Sequence, residues 1–215
     1  ANLGSIETNR GILRENYGQV GNVETYISEN YGRVDNVEGK IVSNYGVVDV
    51  VKYSAYIRDN DGTVKENQGT LDYNNGKIEK NSGIVTENNN YIGENTEKVK
   101  KNSKDAEIHS NKGNVVENLG TVYNYPGGVV QKNSGTVYNF GGKVNEDTTG
   151  KVIESYSITL KAGIDETTLD NEAITDLDGK KWLETGKSAT ITVVWAEGYS
   201  ADTYHLEADG CKTVS

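Results

Sequence analysis

The sequence holds few of the residues from which large hydrophobic cores are built. Among its 215 residues there are no methionines and one phenylalanine, and 34% of the residues are hydrophobic. A chain with so little apolar surface either stays disordered, because it cannot offset the entropy lost on folding, or buries one aliphatic residue per strand in a thin repetitive fold. The periodicity described below favours the repetitive fold.

Other scarcities exclude several kinds of site. Cys211 is the single cysteine, so an intramolecular disulfide and a cysteine-based metal site are ruled out. No run approaches the roughly 20 apolar residues of a membrane-spanning helix, and we expect no membrane insertion in this fragment. No signal peptide is recognised. The chain begins at Ala1 without an initiating methionine, which predicts a processed or excised fragment.

An excess of negative charge argues against nucleic-acid partners and against docking on an anionic membrane. The chain has 32 acidic and 22 basic residues, a formal net charge of −10. Nucleic acids and anionic membranes are bound by clustered lysine and arginine, so no nucleic-acid partner is predicted. One short basic run, Lys98–Lys104, is interrupted and flanked by Glu97 and Asp105. We expect this run to be a solvated edge.

A seven-residue unit recurs from Asn2 to Glu146. Its pattern is Asn-x-Gly-x-(Val/Ile/Leu)-x-x, as in NYGRVDN at 30–36 and NSGTVYN at 133–139. Twenty units can be laid end to end; fifteen begin with Asn, and fifteen carry Gly at position three. Self-similarity at a fixed short period is the signature of a repeat architecture.

The unit predicts strands and not a coiled coil. It has one apolar position per seven residues where a coiled coil needs two, and a glycine in most turns would break a helix. Alternation along the unit places positions one, three and five inward, with a corner at positions six and seven. The aliphatic residues then stack in a column, and the asparagines form a ladder that satisfies backbone groups.

A longer period of 14 residues, equal to two units, is superimposed on the seven-residue period. Units that do not begin with Asn start at Val23, Val37, Val51, Tyr125 and Phe140, and all are even-numbered. We therefore predict an all-β fold: a parallel β-solenoid or β-roll over 1–150, with two strands and about 14 residues per coil, followed by a small separate β-rich domain over 151–215. Extra residues at 51–59, 102–110 and 125–132 predict bulges or corner loops on one edge.

The composition changes after Gly150. Segments 156–163 and 188–199 alternate as amphipathic strands around an acidic stretch, 165–181, for which one helical turn is considered. Trp182 and Trp195 both lie in this part, as a separate small core requires.

The carboxy-terminal pattern resembles the small β-rich repeat domains of bacterial surface proteins. The matching residues are Tyr156, Gly186-Lys187, Thr190 to Val194, Gly198-Tyr199 and Gly210, with Tyr204 or His205 near the place of a usual aromatic. This resemblance implies a surface-exposed stalk or spacer of a bacterial cell-surface protein. The repeat half is loosely similar to the heads of trimeric autotransporter adhesins, but their Ala-x-Gly motif is absent and no trimer is carried over.

The sequence contains no recognisable catalytic or metal-binding pattern. His109 and His205 lie in different predicted domains, in no metal-binding pattern, and each is interpreted as a surface residue. No nucleophile elbow or nucleotide-binding fingerprint occurs. The DNDG at 59–62 and the DLDG at 176–179 begin like calcium loops but lack the later Glu, so they are interpreted as turns. We predict no catalytic residues, no metal and no cofactor.

Tyrosines provide the one outward feature with a functional hypothesis. Tyr17, Tyr31 and Tyr45 recur every 14 residues, so they should stack on a single edge, and Tyr123 and Tyr138 begin another row. Packing of the rings on each other would stiffen the rod. Alternatively, the first row is a ligand-binding platform for glycan rings or a partner surface.

These observations favour a non-enzymatic extracellular or cell-surface module for adhesion or ligand display, with a host glycan or a protein as its ligand. The alternative is a polysaccharide-active β-helix enzyme, lyase or hydrolase, which needs convergent acidic residues on one face. Ice binding is a third hypothesis and needs flat threonine arrays. The oligomeric state and the handedness of the solenoid do not follow from the sequence.

Overall fold

A computed structural model describes residues 1–158, 164–170, 174–177, 180–184 and 190–195, and beyond residue 155 it describes the backbone alone. These residues form β-strands, turns and loops, and none of them lies in a helix. The chain divides into two compact units between Val152 and Ile153. The predicted parallel β-solenoid is confirmed for the first unit, whereas the second unit as a separate domain stays a prediction.

Strands of the repeat region alternate between two parallel sheets. The odd sheet contains β1 (Ser5–Asn9), β3 (Gln19–Val23), β5 (Arg33–Val37), β7 (Val47–Val51), β9 (Thr63–Asn67), β11 (Lys77–Asn81), β13 (Tyr91–Asn95), β15 (Glu107–Asn111), β17 (Thr121–Asn124) and β19 (Thr136–Asn139). The even sheet contains β2 (Ile12–Asn16), β4 (Tyr26–Asn30), β6 (Lys40–Asn44), β8 (Tyr56–Asn60), β10 (Thr70–Asn74), β12 (Ile84–Asn88), β14 (Lys98–Asn102), β16 (Asn114–Asn118), β18 (Val129–Asn133) and β20 (Lys143–Val144).

The register of the sheets confirms the 14-residue coil. Ile6 pairs with Val20, and Val20 pairs with Val34 in the next coil. In the even sheet, Leu13 pairs with Ile27 in the same way. Each coil therefore contributes one strand to each sheet, and isolated bridges beyond the first and last even strands extend the stack to about eleven turns.

Aliphatic side chains at position five form the core between the two sheets. From Val20 to Val137 these side chains have no exposed surface. Ile6 and Leu13 in the first coil and Val144 near the end pack against this column but are only partly buried. One aliphatic residue per strand is thus enough to fill the narrow interior, because the residues stack in register along the coil axis.

The predicted corner and part of the predicted inward set are wrong. Strands run from position four of one unit to position one of the next, so the two-residue corner is formed by positions two and three, as at Tyr17-Gly18. Positions five and one point inward, positions four, six and seven face outward, and Gly lies in the corner. Strict alternation fails because the chain already bends toward the corner at the strand end.

Asparagines at position one of the even strands form a continuous ladder in the interior. In each coil the Nδ2 atom donates to the Oδ1 atom of the Asn in the next coil, over 2.7 to 2.8 Å. The same Nδ2 atom lies within reach of corner carbonyls, such as that of Gly32 from Asn30 at 3.3 Å. This first asparagine ladder comprises Asn2, Asn16, Asn30, Asn44, Asn60, Asn74, Asn88, Asn102, Asn118 and Asn133.

A second asparagine ladder lies at position one of the odd strands. In the coils before it, valines occupy the same interior position. Val23, Val37 and Val51 occupy position one in three early coils and are fully buried. The second ladder then comprises Asn67, Asn81, Asn95, Asn111, Asn124 and Asn139, joined over 2.7 to 3.0 Å. At the junction, Asn67 Oδ1 is buried without a hydrogen-bond partner, because Val51 below it has no amide to donate.

Two unit boundaries predicted near the end of the repeat are one residue late. Tyr125 and Phe140 were placed at position one, but Asn124 and Asn139 hold the ladder position. The strands that end there, β17 and β19, have four residues instead of five, and the register shifts between Ile108 and Asn111. Tyr125 and Phe140 lie buried in the corners that follow.

The insertions are corner loops, as predicted, but they do not share one edge. Residues 52–55 and 125–128 connect odd strands to even strands, whereas residues 103–106 connect β14 to β15 on the opposite edge. All three leave the ladders unbroken. Since a one-residue slip within a strand would turn every side chain to the wrong face, extra residues are tolerated only where the chain turns.

Many position-three glycines lie closely against the corner of the coil below, although Thr25, Asn90 and Glu97 occupy the same position in other coils. A Cβ atom on Gly32 would lie 2.0 Å from the carbonyl oxygen of Gly18 in the coil below. At Gly11 in the first coil, nothing lies within 4 Å of the same point. The same substitution at Gly32 and at Gly11 therefore distinguishes the steric effect of the coil below from the effect of replacing glycine itself.

The second unit contains antiparallel strands. These are β21 (Lys151–Ile158), β22 (Ile164–Asp170), β23 (Ile174–Leu177), β24 (Lys180–Glu184) and β25 (Thr190–Trp195). Strand β24 pairs with β21 and β23, and β22 pairs with β25. The strand predictions at 156–163 and 188–199 are confirmed where they are described, and the helical turn considered within 165–181 is wrong over the residues described there. Gly186-Lys187, Gly198-Tyr199, Tyr204, His205, Gly210 and Cys211 lie outside the described residues.

We predict that Asn95→Val destabilises the fold by about 1 to 3 kcal/mol, the cost of leaving buried polar atoms unpaired. The substitution removes one bond to Asn81 and one to Asn111. Asn67→Val is the matched control: it removes an Oδ1 atom that is already unpaired and should cost distinctly less. Urea unfolding followed by circular dichroism measures both. Equal losses would contradict the role of ladder continuity.

We also predict that Gly32→Ala lowers stability by about 3 kcal/mol or more, because the added methyl group meets backbone that cannot rotate away. Gly11→Ala should stay within about 1 kcal/mol of the parent, since the site is open and alanine lowers the entropy of the unfolded chain. Thermal unfolding of the two variants side by side decides this. A Gly32→Ala variant as stable as Gly11→Ala would disprove the steric requirement.

Candidate functional site

Tyr17, Tyr31 and Tyr45 form a stacked row on one corner of the solenoid, as predicted. Each follows a buried Asn of the first ladder and precedes a corner glycine, so the 14-residue coil places the three side chains directly above one another. Ring centroids are 4.9 and 5.0 Å apart, with interplanar angles of 7° and 13°. The residues are 50%, 42% and 48% exposed. We call this set the tyrosine row.

The stacking geometry determines what the tyrosine row can offer a ligand. Nearly parallel rings at this spacing turn their faces toward each other, so both faces of Tyr31 are covered by Tyr17 and Tyr45. Solvent meets the ring edges and the hydroxyl groups. A sugar ring that stacks on an aromatic side chain needs an open face, which a middle ring of this row lacks. The geometry therefore favours a stiffening role, and ligand binding by the row stays a prediction.

The Tyr31 hydroxyl donates a hydrogen bond to Glu29 Oε2 at 2.9 Å. This bond to the neighbouring carboxylate raises the pKa of Tyr31 to about 12. The phenol is thus neutral at physiological pH and acts as a donor, not as a nucleophile or base. The row presents hydroxyl groups and ring edges to its surroundings.

A second aromatic row lies on the outer face of the odd sheet. Tyr123 and Tyr138 stack with centroids 4.9 Å apart and an interplanar angle of 12°, as predicted. The row extends downward to His109, 5.3 Å from Tyr123, and to Tyr91, 6.3 Å from His109. The buried Phe140 ring, in the corner after β19, lies 6.3 Å from that of Tyr123.

His109 is on the surface, as expected, but it is a member of this row rather than an isolated side chain. Its Nδ1 atom lies 3.0 Å from a carboxylate oxygen of Glu107. Sequence spacing obscured the relation, because the loop at 103–106 adds two residues between Tyr91 and His109. In register, His109 stands beside Gly93, which has no side chain, and Tyr91 of the same strand supplies the neighbouring ring.

Several outward carboxylates of the odd sheet are engaged in ion pairs. Arg33 contacts Asp35 at 3.0 Å and also Asp49 in the next coil, and Lys65 contacts Asp49 at 3.0 Å. The hydrogen bond from Arg33 lowers the pKa of Asp35. The bond from Lys101 lowers the pKa of Glu87 on the even sheet. Glycoside hydrolysis needs a carboxylic acid whose pKa is raised, the opposite direction from these two groups.

The structure also shows how the potential metal ligands are placed. In the part of the chain that is described, no group of three or more His, Cys, Asp or Glu side chains is placed to hold a metal ion. The DNDG at 59–62 ends strand β8 and forms a corner, with the Asn60 amide inside the first ladder. It is thus an ordinary turn, as interpreted. None of the described residues belongs to a helix that is long and apolar enough to cross a membrane.

Comparison of the chain with protein-family models, with curated proteins and with solved structures finds no match.

We predict that Tyr31→Ala destabilises the solenoid about twice as much as Tyr17→Ala. Tyr31 loses two ring contacts and Tyr17 loses one, and each such contact contributes about 0.5 to 1.5 kcal/mol. Thermal unfolding of both single variants and of the double variant measures the coupling between the rings. Additive losses, with no coupling energy, would show that the stacked rings do not stabilise one another.

Proposed function

We propose that this protein is a non-enzymatic extracellular surface module that displays ligand-binding side chains on the outside of a β-solenoid, joined to a stalk-like carboxy-terminal segment. The supporting observation is that inward and outward positions of each coil hold different kinds of residue. Positions five and one fill the interior with aliphatic residues and amide ladders, so the remaining polar and aromatic groups stand outside in columns. Such columns suit the recognition of extended ligands or partner surfaces.

Two further observations support adhesion or display over catalysis. Among the described residues, the carboxyl groups with shifted pKa values are those of Asp35 and Glu87, and both are held ionised by basic partners. The stacked aromatic rows stiffen the coils, so the outward columns beside them are held in place and lose little ordering entropy when a ligand binds. The resemblance of residues 156–210 to bacterial surface repeats is the basis for proposing a cell-surface location, with a host glycan or a protein as ligand.

A glycan-array screen of the intact chain tests this function. The test variant is Tyr17→Ala/Tyr31→Ala/Tyr45→Ala. The matched control is Asp61→Ala/Asn75→Ala/Asn89→Ala, which alters three consecutive coils of the same corner column. In that column Asn75 donates to Asp61 at 3.1 Å and Asn89 donates to Asn75 at 2.9 Å.

If the tyrosine row is the recognition site, we expect the parent chain and the control variant to bind the same glycans selectively. The tyrosine variant should lose this binding while its circular dichroism spectrum stays unchanged. Binding kept by both variants would place recognition elsewhere on the surface. Release of new reducing ends or of unsaturated sugars from any polysaccharide would contradict a non-enzymatic role. A chain that binds neither glycans nor surface proteins would contradict adhesion.

A further inference from the structure

Outside the aromatic rows, the even sheet carries an outward strip, at positions four and six, whose charged side chains are all lysines. Positions four and six of the even strands face outward, and from β12 to β20 neither position holds Asp or Glu. The side chains in these positions are all exposed or half-buried. We call this surface the lysine strip; it comprises Ile84, Thr86, Lys98, Lys100, Asn114, Val116, Val129, Gln131 and Lys143.

Strand register makes the strip a straight column along the coil axis. Ile84 pairs with Lys98, Lys98 with Asn114, Asn114 with Val129, and Val129 with Lys143. Neighbouring strands of a sheet lie about 4.8 Å apart, so the column spans roughly 20 Å from the first of these residues to the last. An extended polymer lying along the axis would meet each of these side chains in turn.

The strip lysines have no ion-pair partner among the described residues, but Glu117 lies at outward position seven beside the strip, in register with Lys101. Lys98 and Lys100 form no ion pair with any described residue, whereas the adjacent Lys101 donates to Glu87 at 2.8 Å. Glu87 also accepts a bond from Ser103 at 2.8 Å, so this carboxylate is fully engaged by its own neighbours. On a chain of net charge −10, two unpaired lysines on one strand mark a local anion-attracting surface.

Chemistry at the strip favours one class of polymer. Lysine ammonium groups attract carboxylates, the amide of Gln131 binds hydroxyl groups, and Val116 and Val129 offer apolar contact for the C–H faces of sugars. Nucleic acids fit less well. Double-stranded DNA carries a charge about every 1.7 Å and calls for denser basic residues, and the strip has no aromatic face on which bases stack.

We propose that the lysine strip binds a linear polysaccharide of uronic acids, lying along the coil axis. This inference rests on the proposed function, since it names a ligand class for the displayed surface. It assigns recognition to the even sheet instead of the tyrosine row.

Binding of polygalacturonate to the intact chain, measured by calorimetry or biolayer interferometry, tests the inference. Methyl-esterified polygalacturonate is the matched neutral ligand. Lys98→Gln/Lys100→Gln should weaken binding about tenfold or more, because each lysine near an anionic surface contributes on the order of one power of ten or slightly less. Lys77→Gln/Lys80→Gln removes the same charge from one strand of the odd sheet and should leave binding unchanged. Lys98→Arg/Lys100→Arg keeps the charge and should retain binding.

The inference is overturned if the acidic polymer does not bind, if the methyl ester binds equally well, or if both glutamine variants lose binding to the same extent. Equal binding of single-stranded poly(dT) through the same lysines would also overturn it, since the surface would then be a general polyanion site. Binding of neutral glycans without acidic ones would sink the inference alone. Absence of any glycan or protein ligand would sink the proposed function as well.

Discussion

The hydrogen bond between equivalent asparagine amides in successive coils is the constraint on which the rest of this structure depends. A bond of 2.7 to 2.8 Å from Nδ2 to Oδ1 requires that each coil repeat the last without slip or rotation. The amide also satisfies corner carbonyls that lie inside the coil, where an unpaired polar group would be costly. Once the ladder fixes the register, the aliphatic column, the close corners and the outward columns all follow.

The valine run in the odd sheet shows what the ladder contributes beyond filling space. Val23, Val37 and Val51 fill the same interior position with no exposed surface. Asparagine is therefore not needed for packing alone, and the first ladder on the opposite side runs unbroken through these same coils. A side chain that must find an amide above and below it specifies register more sharply than a valine does, since a valine would still be buried after a small slip. At Asn67, where the interior position changes from valine to asparagine, the buried Oδ1 atom has no hydrogen-bond partner, and this is the energetic cost of the change.

Much of the fold could be predicted from spacing alone, because the 14-residue period is visible in Tyr17, Tyr31 and Tyr45 and in the parity of the valine units. The corner was misplaced because strict alternation was assumed along the whole unit, while the strand ends on an inward Asn two residues after an outward position six. Asn124 and Asn139 were missed as ladder members because their strands are a residue short. His109 could not be joined to its aromatic row by counting, since a loop inserts two residues; only the register of β13 and β15 reveals the relation.

The same constraint governs how the surface can recognise anything. Rings in one column are held about 5 Å apart, so they stack and cover one another's faces. Lys98 and Lys143 lie three strands apart in their column, so neither covers the other. Aromatic columns on a solenoid of this kind therefore add rigidity, and polar or charged columns keep their binding capacity. Recognition by such a module should then depend on the identity of residues at positions four, six and seven. These positions can change without disturbing the ladder, because none of them contributes an inward side chain.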